Sequence, residues 1–346
     1  MQGLILANGK GTKLRPLTVY TPKPIVPILN RPLLLYQIEV LKRAGVEQVT
    51  LFLDYQPDKI EHVLGNEHDL GVELRYVVEA NPFGTAGAYK FVSKYYKETT
   101  IVLNGDILSD LVISKLLKQH TKAAADVTIA ATPIKLRSSY GAVKTNQDFR
   151  VTKYLSEPGA DSAARADFEL MNAGIYIVEQ GFADRIPEEH SLTFKHDIFP
   201  GMAERGEKLF AFPIKDDYWC AIDSLEKYLS VQKDFLDGKI RNFKFEKNRE
   251  YEKATSAFID ERSVIGKGCV VKPNAKISNS VLGKGVQVEE HAVIENSVIW
   301  PHSRISYSAV IKDSIIASSC YIGKNAIVSE GSVLADKASL PDYTKV

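Results

Sequence analysis

The chain has 346 residues, of which 45% are hydrophobic and 25% are charged, as is typical of a folded globular protein. Its formal net charge is +1, so no global field recruits nucleic acid or an anionic membrane, and an anionic ligand must be captured by a local site. The three cysteines are far apart and odd in number, which argues against a disulfide framework. No apolar run approaches the length of a membrane span. Together these features predict a cytoplasmic protein.

The first predicted strand, Gly3–Ala7, runs into a glycine-rich turn that contains Gly9 and Gly11. Glycine lets the backbone approach an anion and direct several N–H groups at it. Basic side chains follow at Lys13 and at Lys23, the second of which is held between two prolines. Because fixed cations beside backbone dipoles neutralise phosphate charge, the segment predicts a phosphate site. Its spacing matches neither GxGxxG nor GxxxxGK[ST].

Up to about residue 225 the pattern alternates between strands and helices. The next predicted strands are Val46–Asp54, Val72–Val78, Thr99–Leu103 and Asp126–Pro133. The predicted helices are Pro32–Ala44, Pro57–Leu64, Gly84–Lys97 and Asp110–Lys122. Such alternation predicts an α/β fold, a Rossmann-like and mostly parallel sheet with helices on both faces. Ligands of such sheets bind outside the carboxyl ends of the strands, where the glycine-rich turn and an Asn104-Gly105-Asp106 turn are both expected.

After a predicted helix at Ser224–Leu236 and a charged linker, the hydrophobic period changes. Apolar residues recur in steps of six, six and five, and Ile277, Ile294, Ile311 and Val328 are each 17 residues apart. One apolar residue at every sixth position fits a three-sided coil in which each side is a short strand. The pattern resembles the hexapeptide-repeat left-handed β-helix, with four to five coils. A β-sandwich is the alternative, but sandwiches lack a fixed internal period.

Three domain segments follow from these two patterns. Residues 1–236 form a predicted α/β domain with the phosphate site, residues 237–256 a linker, and residues 257–346 the β-helix. A β-helix presents flat faces that commonly serve subunit assembly. We therefore expect a homo-oligomer or a hetero-oligomer formed through this part of the chain.

Several segments of the first domain match the motifs of one family. Leu6–Pro24 contains Gly-x-Gly-Thr-Lys-Leu-Arg-Pro-Leu-Thr followed by Pro-Lys-Pro, and it resembles the opening of the sugar nucleotidyltransferases. Val77–Ala88, Asn104–Asp106, Tyr140–Val143 and Asn172–Tyr176 are similar to later motifs of that family, most closely of the mannose-1-phosphate guanylyltransferase type. The resemblance implies that a nucleoside triphosphate and a sugar 1-phosphate, of the mannose or glucose type, give an NDP-sugar and pyrophosphate with Mg²⁺ as cofactor.

The resemblance also assigns roles to residues. The nucleotide-binding residues that it implies are Ala7, Asn8, Gly9, Lys10, Gly11, Thr12, Glu79 and Gly84. The catalytic residues that it implies are Lys13, Lys23 and Asp106, with Asp106 as the metal ligand, and the sugar-binding positions are Gly141, Glu157 and Asn172. A carboxylate at position 79 suits the N–H donors of guanine better than thymine, so GTP is the favoured nucleotide.

Two positions depart from the family pattern. Glu157 stands where the family motif Glu-Lys-Pro has a lysine that binds the sugar phosphate. Ala221 stands where the motif Trp-x-Asp-Ile-Gly has an aspartate that binds metal. Asp223 is a weaker candidate for that ligand, because a shift of two residues along a strand displaces it by roughly 6–7 Å. Lys13 replaces an arginine, which keeps the charge but loses the planar fork.

Three functions therefore stay open. The first is an active sugar-1-phosphate nucleotidyltransferase. The second is a catalytically weak or silent homologue that binds a nucleotide or NDP-sugar and regulates a partner subunit. The third is acyl transfer by a β-helix histidine, for which His291 and His302 are the candidates. Neither nucleic acid nor membrane is expected as a partner.

Overall fold

The computed structural model describes residues 1–65, 70–79, 83–134, 140–157, 168–188, 191–243, 245 and 247–346. The chain divides into two compact units. The first consists of Met1–Gly9 and Leu34–Trp219, and the second of Lys10–Leu33 and Cys220–Val346. Each unit has a hydrophobic core of its own.

The elements up to residue 236 are as follows. The strands are β1 Gln2–Ala7, β2 Pro27–Ile28, β3 Arg31–Pro32, β4 Gln48–Leu53, β5 Glu73–Val78, β6 Thr100–Asn104, β7 Ile107–Ser109, β8 Val127–Pro133, β9 Ala142–Thr145, β10 Val151–Leu155, β11 Leu170–Val178, β12 Leu209–Pro213 and β13 Trp219–Ala221. The helices are α1 Leu33–Arg43, α2 Pro57–Gly65, α3 Gly84–Ser93, α4 Ile113–Lys122, α5 Phe199–Glu204 and α6 Leu225–Leu236. Single turns of 3-10 helix occur at Thr12–Leu14, Lys23–Ile25 and Phe182–Arg185, and a π-helical turn occurs at Phe194–Ile198.

A nine-stranded sheet forms the centre of the first unit. Its strand order is β10-β9-β11-β6-β1-β4-β5, and β8 pairs with β11 and β12. Strands β6, β1, β4 and β5 run parallel, whereas β11 is antiparallel to its neighbours. The predicted α/β fold with a mostly parallel sheet is confirmed. All five predicted strands overlap observed ones.

The sheet order reverses beside β1. The chain passes from β1 to β4 and β5 on one side and then returns to β6 on the other side. Open α/β sheets bind ligands in the crevice at such a switch point, outside the carboxyl ends of the strands. The fold therefore places a candidate site at the ends of β1 and β6.

The predicted helices are also found, with shifted ends. Helix α4 begins at Ile113, three residues later than predicted. The backbone of Asp110 donates to the Tyr218 carbonyl, and its carboxylate accepts from the Tyr218 N–H at 2.6 Å, so Asp110 is held outside the helix. No helix in the described parts of the chain combines the length and hydropathy needed to cross a lipid bilayer.

The C-terminal part of the second unit is a three-sided coil of short strands. The strands are β14 Glu252–Lys253, β15 Phe258–Ile259, β16 Val264–Ile265, β17 Val270–Val271, β18 Lys276–Ser278, β19 Val281–Leu282, β20 Gln287–Val288, β21 Val293–Glu295, β22 Val298–Ile299, β23 Arg304–Ile305, β24 Val310–Lys312, β25 Ile315–Ile316, β26 Tyr321–Ile322, β27 Ile327–Val328, β28 Val333–Leu334 and β29 Ser339–Leu340. They form three parallel sheets of six, five and five strands, as predicted for the β-helix. Strand β14 lies inside the range predicted as a linker.

The inward residues are those that the repeat predicts. Ile277, Ile294, Ile311 and Val328 are fully buried and stand opposite one another in adjacent coils. The corners are left-handed turns, which asparagine and aspartate tolerate better than other residues with a side chain. Asn279, Asn296 and Asp313 have φ values of 47°, 50° and 47°. The Asn-Ser or Asp-Ser dipeptide that recurs every 17 residues therefore marks the corners of the β-helix.

The last coil departs from the 17-residue period. Ile316 pairs with Leu334, an offset of 18 residues. The corner at this point has two residues with positive φ, Glu330 and Gly331, whereas the corners at Asn279, Asn296 and Asp313 have one each. Because of this extra residue, the step from Val328 to Leu334 is six residues, whereas the step from Ile311 to Ile316 is five.

A ladder of buried serines runs up one corner of the β-helix at the same spacing. Ser280, Ser297 and Ser314 each donate through Oγ to the carbonyl two residues earlier, at 2.6–2.7 Å. Each Oγ also accepts from the backbone N–H of the next serine up the ladder where the ladder continues: Ser297 N–H reaches Ser280 at 3.1 Å, and Ser314 N–H reaches Ser297 at 3.2 Å. The hydroxyls of Ser280 and Ser297 therefore accept from the buried N–H groups of Ser297 and Ser314.

Replacing Ser297 with alanine is expected to destabilise the β-helix by about 1–3 kcal/mol, because the buried Ser314 N–H loses its acceptor. The measurement is the midpoint of chemical denaturation followed by circular dichroism. Ser339→Ala is the matched control, since Ser339 is exposed on β29. Equal midpoints for the two variants would show that the ladder contributes nothing to stability.

Candidate nucleotide site

The two turns predicted to converge do meet at the carboxyl edge of the sheet. The Gly105 N–H donates to the Leu6 carbonyl at 2.9 Å. A Cβ at position 105 would lie 2.7 Å from the Ala7 Cα and 2.8 Å from the Leu6 carbonyl oxygen, so only glycine fits this position. The end of β1 and the turn that carries Asp106 are therefore in direct backbone contact.

Gln37 of α1 fixes the same turn through two hydrogen bonds. Its Nε2 donates to the carbonyls of Asn104 and Ile107, both at 2.8 Å, and the residue is only 3% exposed. Asp106 lies between these two carbonyls and is partly buried. Sequence reasoning missed Gln37, although a lone amide within the apolar run Leu33–Ile38 was the available signal. Its two hydrogen bonds fix the backbone on both sides of the carboxylate.

Glu79 at the end of β5 is joined to the glycine-rich turn. Its Oε2 accepts from Asn8 Nδ2 at 2.6 Å, and its Oε1 accepts from the Phe83 N–H at 2.5 Å. Burial raises the pKa of Glu79, although these two hydrogen bonds oppose the shift, and the nearby Asp54 raises it further. Asn8 Oδ1 is buried and accepts no hydrogen bond from a described residue. Both side chains therefore offer acceptors to a donor-rich ligand edge.

Asp54 follows β4, the strand between β1 and β5. Its Oδ1 accepts from the Gly9 N–H at 2.8 Å, and both residues are exposed. Gly9 has a φ of 111°, a conformation that favours glycine. The turn after β1 is thus held by carboxylates at two successive residues.

The basic part of the opening segment belongs to the second unit and is compact in itself. Gly11 has a φ of 61°, and its carbonyl accepts from Thr18 Oγ1 at 2.7 Å. A Cβ on Gly11 would lie 3.0 Å from the Cβ of Lys23, so the turn and this lysine are neighbours. Lys13 is exposed on the 3-10 turn Thr12–Leu14, and the Lys10 and Thr12 side chains are exposed as well.

Gly84 begins α3 with a φ of 70° and has a clear structural role. A Cβ at this position would lie 2.3 Å from the Leu192 carbonyl oxygen. That carbonyl accepts from the N–H groups of Ala86 and Gly87 at 3.0 and 3.1 Å. The close approach of Leu192 explains the glycine, and a contact with nucleotide stays a prediction. Residues 80–82 of this motif lie outside the described residues.

Asn172 of β11 is 2% exposed and lies among tyrosines. Its Nδ2 donates to the hydroxyls of Tyr154 and Tyr176 at 3.0 and 3.1 Å, and its Oδ1 accepts from the Gly174 N–H at 2.8 Å. Burial raises the pKa of Tyr176 to about 12, so this phenol stays protonated at neutral pH. In this arrangement Asn172 orients the tyrosines rather than presenting its amide outward.

Gly141 adjoins the same cluster. A Cβ at position 141 would lie 2.3 Å from the Tyr154 hydroxyl, and the Gly141 carbonyl accepts from the Asn172 N–H at 2.8 Å. The predicted sugar positions 141 and 172 are therefore adjacent in the structure. Their contact with a sugar stays a prediction.

Glu157 follows β10 and is exposed, with 76% of its side chain accessible. Lys195 Nζ and His196 Nε2 each lie 3.9 Å from Glu157 Oε1, and Ser156 Oγ donates to the Lys195 carbonyl at 2.8 Å. The π-helical turn Phe194–Ile198, a rare element that is frequent at functional sites, thus brings a lysine beside the carboxylate. Pro158 of the motif lies outside the described residues.

Lys153 does not take this place. It precedes Tyr154 on β10, and successive side chains of a strand point to opposite faces. Tyr154 faces Asn172, so Lys153 faces away from this cluster and is exposed. Lys195, which sequence reasoning missed because it is 38 positions further along the chain, is the cation next to Glu157.

The donor atoms present decide which of the predicted metal ligands can bind an ion. Ala221 is 1% exposed and offers no side-chain oxygen, and the Asp223 carboxylate is paired with Lys227 at 2.6 Å. In the described part of the chain no three His, Cys, Asp or Glu residues are grouped to hold a metal. Mg²⁺ is often bound by one or two carboxylates together with substrate phosphates. Asp106 therefore fits an ion that arrives with a nucleotide.

The two histidines of the β-helix are corner residues with φ values of 62°. The His291 ring packs edge-on against Tyr307, with centroids 5.5 Å apart, and a Cβ on Gly285 would lie 2.7 Å from His302 Nδ1. These positions give both residues a packing role.

The fold and site define a nucleotide-binding α/β unit linked to a β-helix, and comparison with known proteins agrees. The family model described as nucleotidyl transferase matches residues 2–238. The model described as the left-handed β-helix domain of the EIF2B epsilon subunit matches residues 242–346. The chain belongs to the nucleotidyl transferase family.

Similar proteins carry names that specify one activity. The chain is 34% identical to a mannose-1-phosphate guanyltransferase of Pichia angusta, over 78% of this chain and 74% of that protein. It is 30% identical to a mannose-1-phosphate guanylyltransferase of Mycobacterium tuberculosis, over 81% and 79%. It is 33% identical to a protein of Drosophila pseudoobscura pseudoobscura named mannose-1-phosphate guanylyltransferase catalytic subunit beta, over 78% and 71%. The resemblance inferred from the sequence motifs is confirmed.

Proposed function

We propose that the protein transfers a guanylyl group from GTP to mannose 1-phosphate, giving GDP-mannose and pyrophosphate. The observation that carries this proposal is the backbone contact between the end of β1 and the turn of Asp106 at the switch point of the sheet. The names of the similar proteins support the substrate pair. The three cysteines are free thiols, which fits a cytoplasmic location.

In this reaction an oxygen of the sugar phosphate attacks the α-phosphorus of GTP, and the bond to the β-phosphate oxygen breaks. Both substrates are anions, so the protein has to align them and neutralise charge. We assign phosphate binding to the backbone of the turn after Gly9 and to the side chains of Lys13 and Lys23. No covalent nucleophile is needed.

Nucleotidyl transferases of this family generally depend on a divalent metal. We propose Mg²⁺, held by Asp106 and by substrate phosphates. When bound, the ion supplies charge neutralisation at the triphosphate. Gln37 contributes by fixing the turn in which the Asp106 carboxylate stands.

Base selection is assigned to Glu79 and Asn8. Guanine presents N1–H and N2–H donors on one edge, and Glu79 together with the buried Asn8 Oδ1 offers acceptors to such an edge. Protonation turns one carboxyl oxygen from an acceptor into a donor and removes the negative charge. Because burial raises the pKa of Glu79, guanine binding should weaken as the solution becomes acidic.

The test is an assay of pyrophosphate release from the full chain with Mg²⁺, each common nucleoside triphosphate, and mannose or glucose 1-phosphate. We expect the highest rate with GTP and mannose 1-phosphate. Asp106→Asn should lower kcat by about 100-fold or more, because the metal loses its protein ligand. Asp110→Asn is not a suitable control, since that carboxylate bonds Tyr218, whereas Asp58→Asn on α2 changes an exposed carboxylate of the same type. A rate unchanged by Asp106→Asn would contradict the assignment.

A second function is favoured by two positions. Ala221 is buried and cannot bind a metal, and Glu157 carries a negative charge where a sugar phosphate is expected. The chain would then bind GDP-mannose and regulate a partner subunit, and the name of the Drosophila relative, a catalytic subunit, is in keeping with a multi-subunit assembly. Tight GDP-mannose binding without pyrophosphate release from any substrate pair would select this function.

Lys195 bears on the choice between these functions. We assign to it the positive charge that binds the sugar phosphate, because it stands beside Glu157 at 3.9 Å. A cation on the neighbouring π-helical turn compensates for the anion at position 157. The site then keeps a charged group for the substrate despite the altered motif.

Reversing this charge gives a sharp prediction. Lys195→Glu should raise the KM for mannose 1-phosphate, or the Kd in a silent chain, by about 10-fold or more, because it leaves two carboxylates at the site. The double variant Glu157→Lys with Lys195→Glu should recover most of the affinity, while GTP binding stays unchanged throughout.

The matched control is Lys153→Glu, which makes the same charge change on the face of β10 that points away from Asn172. Kinetics with each substrate varied in turn separate the two constants. The assignment of Lys195 would be wrong if the double variant were as impaired as the single one, or if Lys153→Glu had the same effect.

A further inference from the structure

We infer that Asp54 binds the ribose of the nucleotide and selects ribonucleotides over deoxyribonucleotides. This inference rests on the proposed function, because it concerns the same nucleotide site. It assigns a role to a residue that none of the sequence motifs includes.

The order of the strands in the sheet indicates where the ribose lies. Along the carboxyl edge the strands follow the order β5-β4-β1-β6, and they end at Glu79, Asp54, the Asn8–Gly9 turn and the Asp106 turn respectively. Base recognition is assigned to Glu79 at one end of this series, and the phosphates with their metal to Asp106 at the other. β5 and β6 are three strand spacings apart, about 14 Å. The ribose, which joins base to phosphates, therefore falls over the ends of β4 and β1, where Asp54 stands.

The Asp54 carboxylate has a defined orientation. Asp54 Oδ1 accepts from the Gly9 N–H at 2.8 Å, which fixes one oxygen against the turn. No described residue hydrogen-bonds to Oδ2, and the side chain is exposed at the edge of the sheet. A carboxylate held by one oxygen presents the other in a defined direction. Ribose hydroxyls are donors that such an oxygen accepts.

The contact between Asp54 and Gly9 also indicates that different residues of the turn contact different parts of the nucleotide. The Gly9 N–H donates to a carboxylate, so in this arrangement the amide is not directed at a phosphate. The anion-binding groups must then come later in the segment, at Gly11 and the lysines, or from the Asp106 side. This leaves the Gly9 end of the turn to an uncharged part of the nucleotide.

General chemistry agrees with this placement. In dinucleotide-binding α/β folds an acidic residue after the second strand hydrogen-bonds a ribose hydroxyl. Here β4 is the second long strand of the chain and lies beside β1, and Asp54 follows it directly. An acid at this point that instead met the triphosphate would oppose binding by like-charge repulsion. The position favours contact with the sugar.

The experiment measures dissociation constants of GTP, 2′-deoxy-GTP and 3′-deoxy-GTP, with Mg²⁺, by titration calorimetry. The wild-type chain is expected to bind GTP about 10-fold to 100-fold more tightly than at least one deoxy analogue, as for a hydrogen bond to a charged group. In Asp54→Ala the affinity for GTP should fall to that of this analogue, and the affinity for the analogue itself should stay unchanged. Asp54→Asn keeps an acceptor for Gly9 but loses the charge, so it should lose most of the preference.

Asp58→Ala is the matched control, since it removes an exposed carboxylate four residues away on α2 and should leave the ratio intact. The ratio of affinities is insensitive to a general loss of folded protein. A preference that persists in Asp54→Ala overturns the inference, as does equal tightening of all three nucleotides, which would show that Asp54 merely repels phosphate. Failure of the wild-type chain to bind any nucleotide would instead refute the proposed function on which the inference rests.

Discussion

The backbone contact between β1 and the turn after β6 is the constraint on which the candidate site depends. Gly105 has no side chain, so its backbone can lie against Ala7 and its N–H can reach the Leu6 carbonyl. This contact places a carboxylate, Asp106, next to the start of a glycine-rich turn. Gln37 keeps the turn in place by bonding the carbonyls on both sides of that carboxylate. A methyl group at position 105 would collide with backbone atoms, which cannot move aside as a flexible side chain can.

The side chains around this contact follow the order of the strands along the edge of the sheet. The carboxylates of Glu79 and Asp54 follow β5 and β4, and each is bound to the turn after β1. The tyrosines oriented by Asn172 and the pair of Glu157 and Lys195 belong to the antiparallel side of the same sheet. The charge balance of the second region differs from the family motif, yet the structure retains a lysine there. For this reason an altered motif does not by itself imply a silent site.

Much of the fold followed from periodicity in the sequence. The alternation of strands and helices predicted the parallel part of the sheet, and the 17-residue repeat predicted the β-helix, because a fixed period allows few packing solutions. The hydrogen-bonded serine ladder was missed, since the recurrence of Ser297 at the repeat spacing does not reveal its hydrogen bond to Ser314. The position of β14 was missed because Glu252 and Lys253 are polar and exposed, and only their pairing with β17 makes them part of the coil.

The candidate site was predicted only in part, and for a physical reason. Motifs identify residues that are close in sequence to a turn, such as Asp106, but not partners brought in by tertiary packing. Gln37, Asp54 and Lys195 reach the site from α1, the end of β4 and a π-helical turn, and none has a neighbour in sequence that reveals its role. Gly84 shows the opposite case, since its conformation is explained by Leu192 whether or not a nucleotide is bound.

The most direct test of the central claim is amide hydrogen exchange of the full chain with and without GTP and Mg²⁺. The claim predicts that the nucleotide slows exchange in residues 7–9 and 104–106 together, because the end of β1 and the Asp106 turn line one site, and leaves the exchange of the β-helix core unchanged. Protection of one turn without the other, or protection confined to the β-helix, would contradict a nucleotide site at the meeting of β1 and β6.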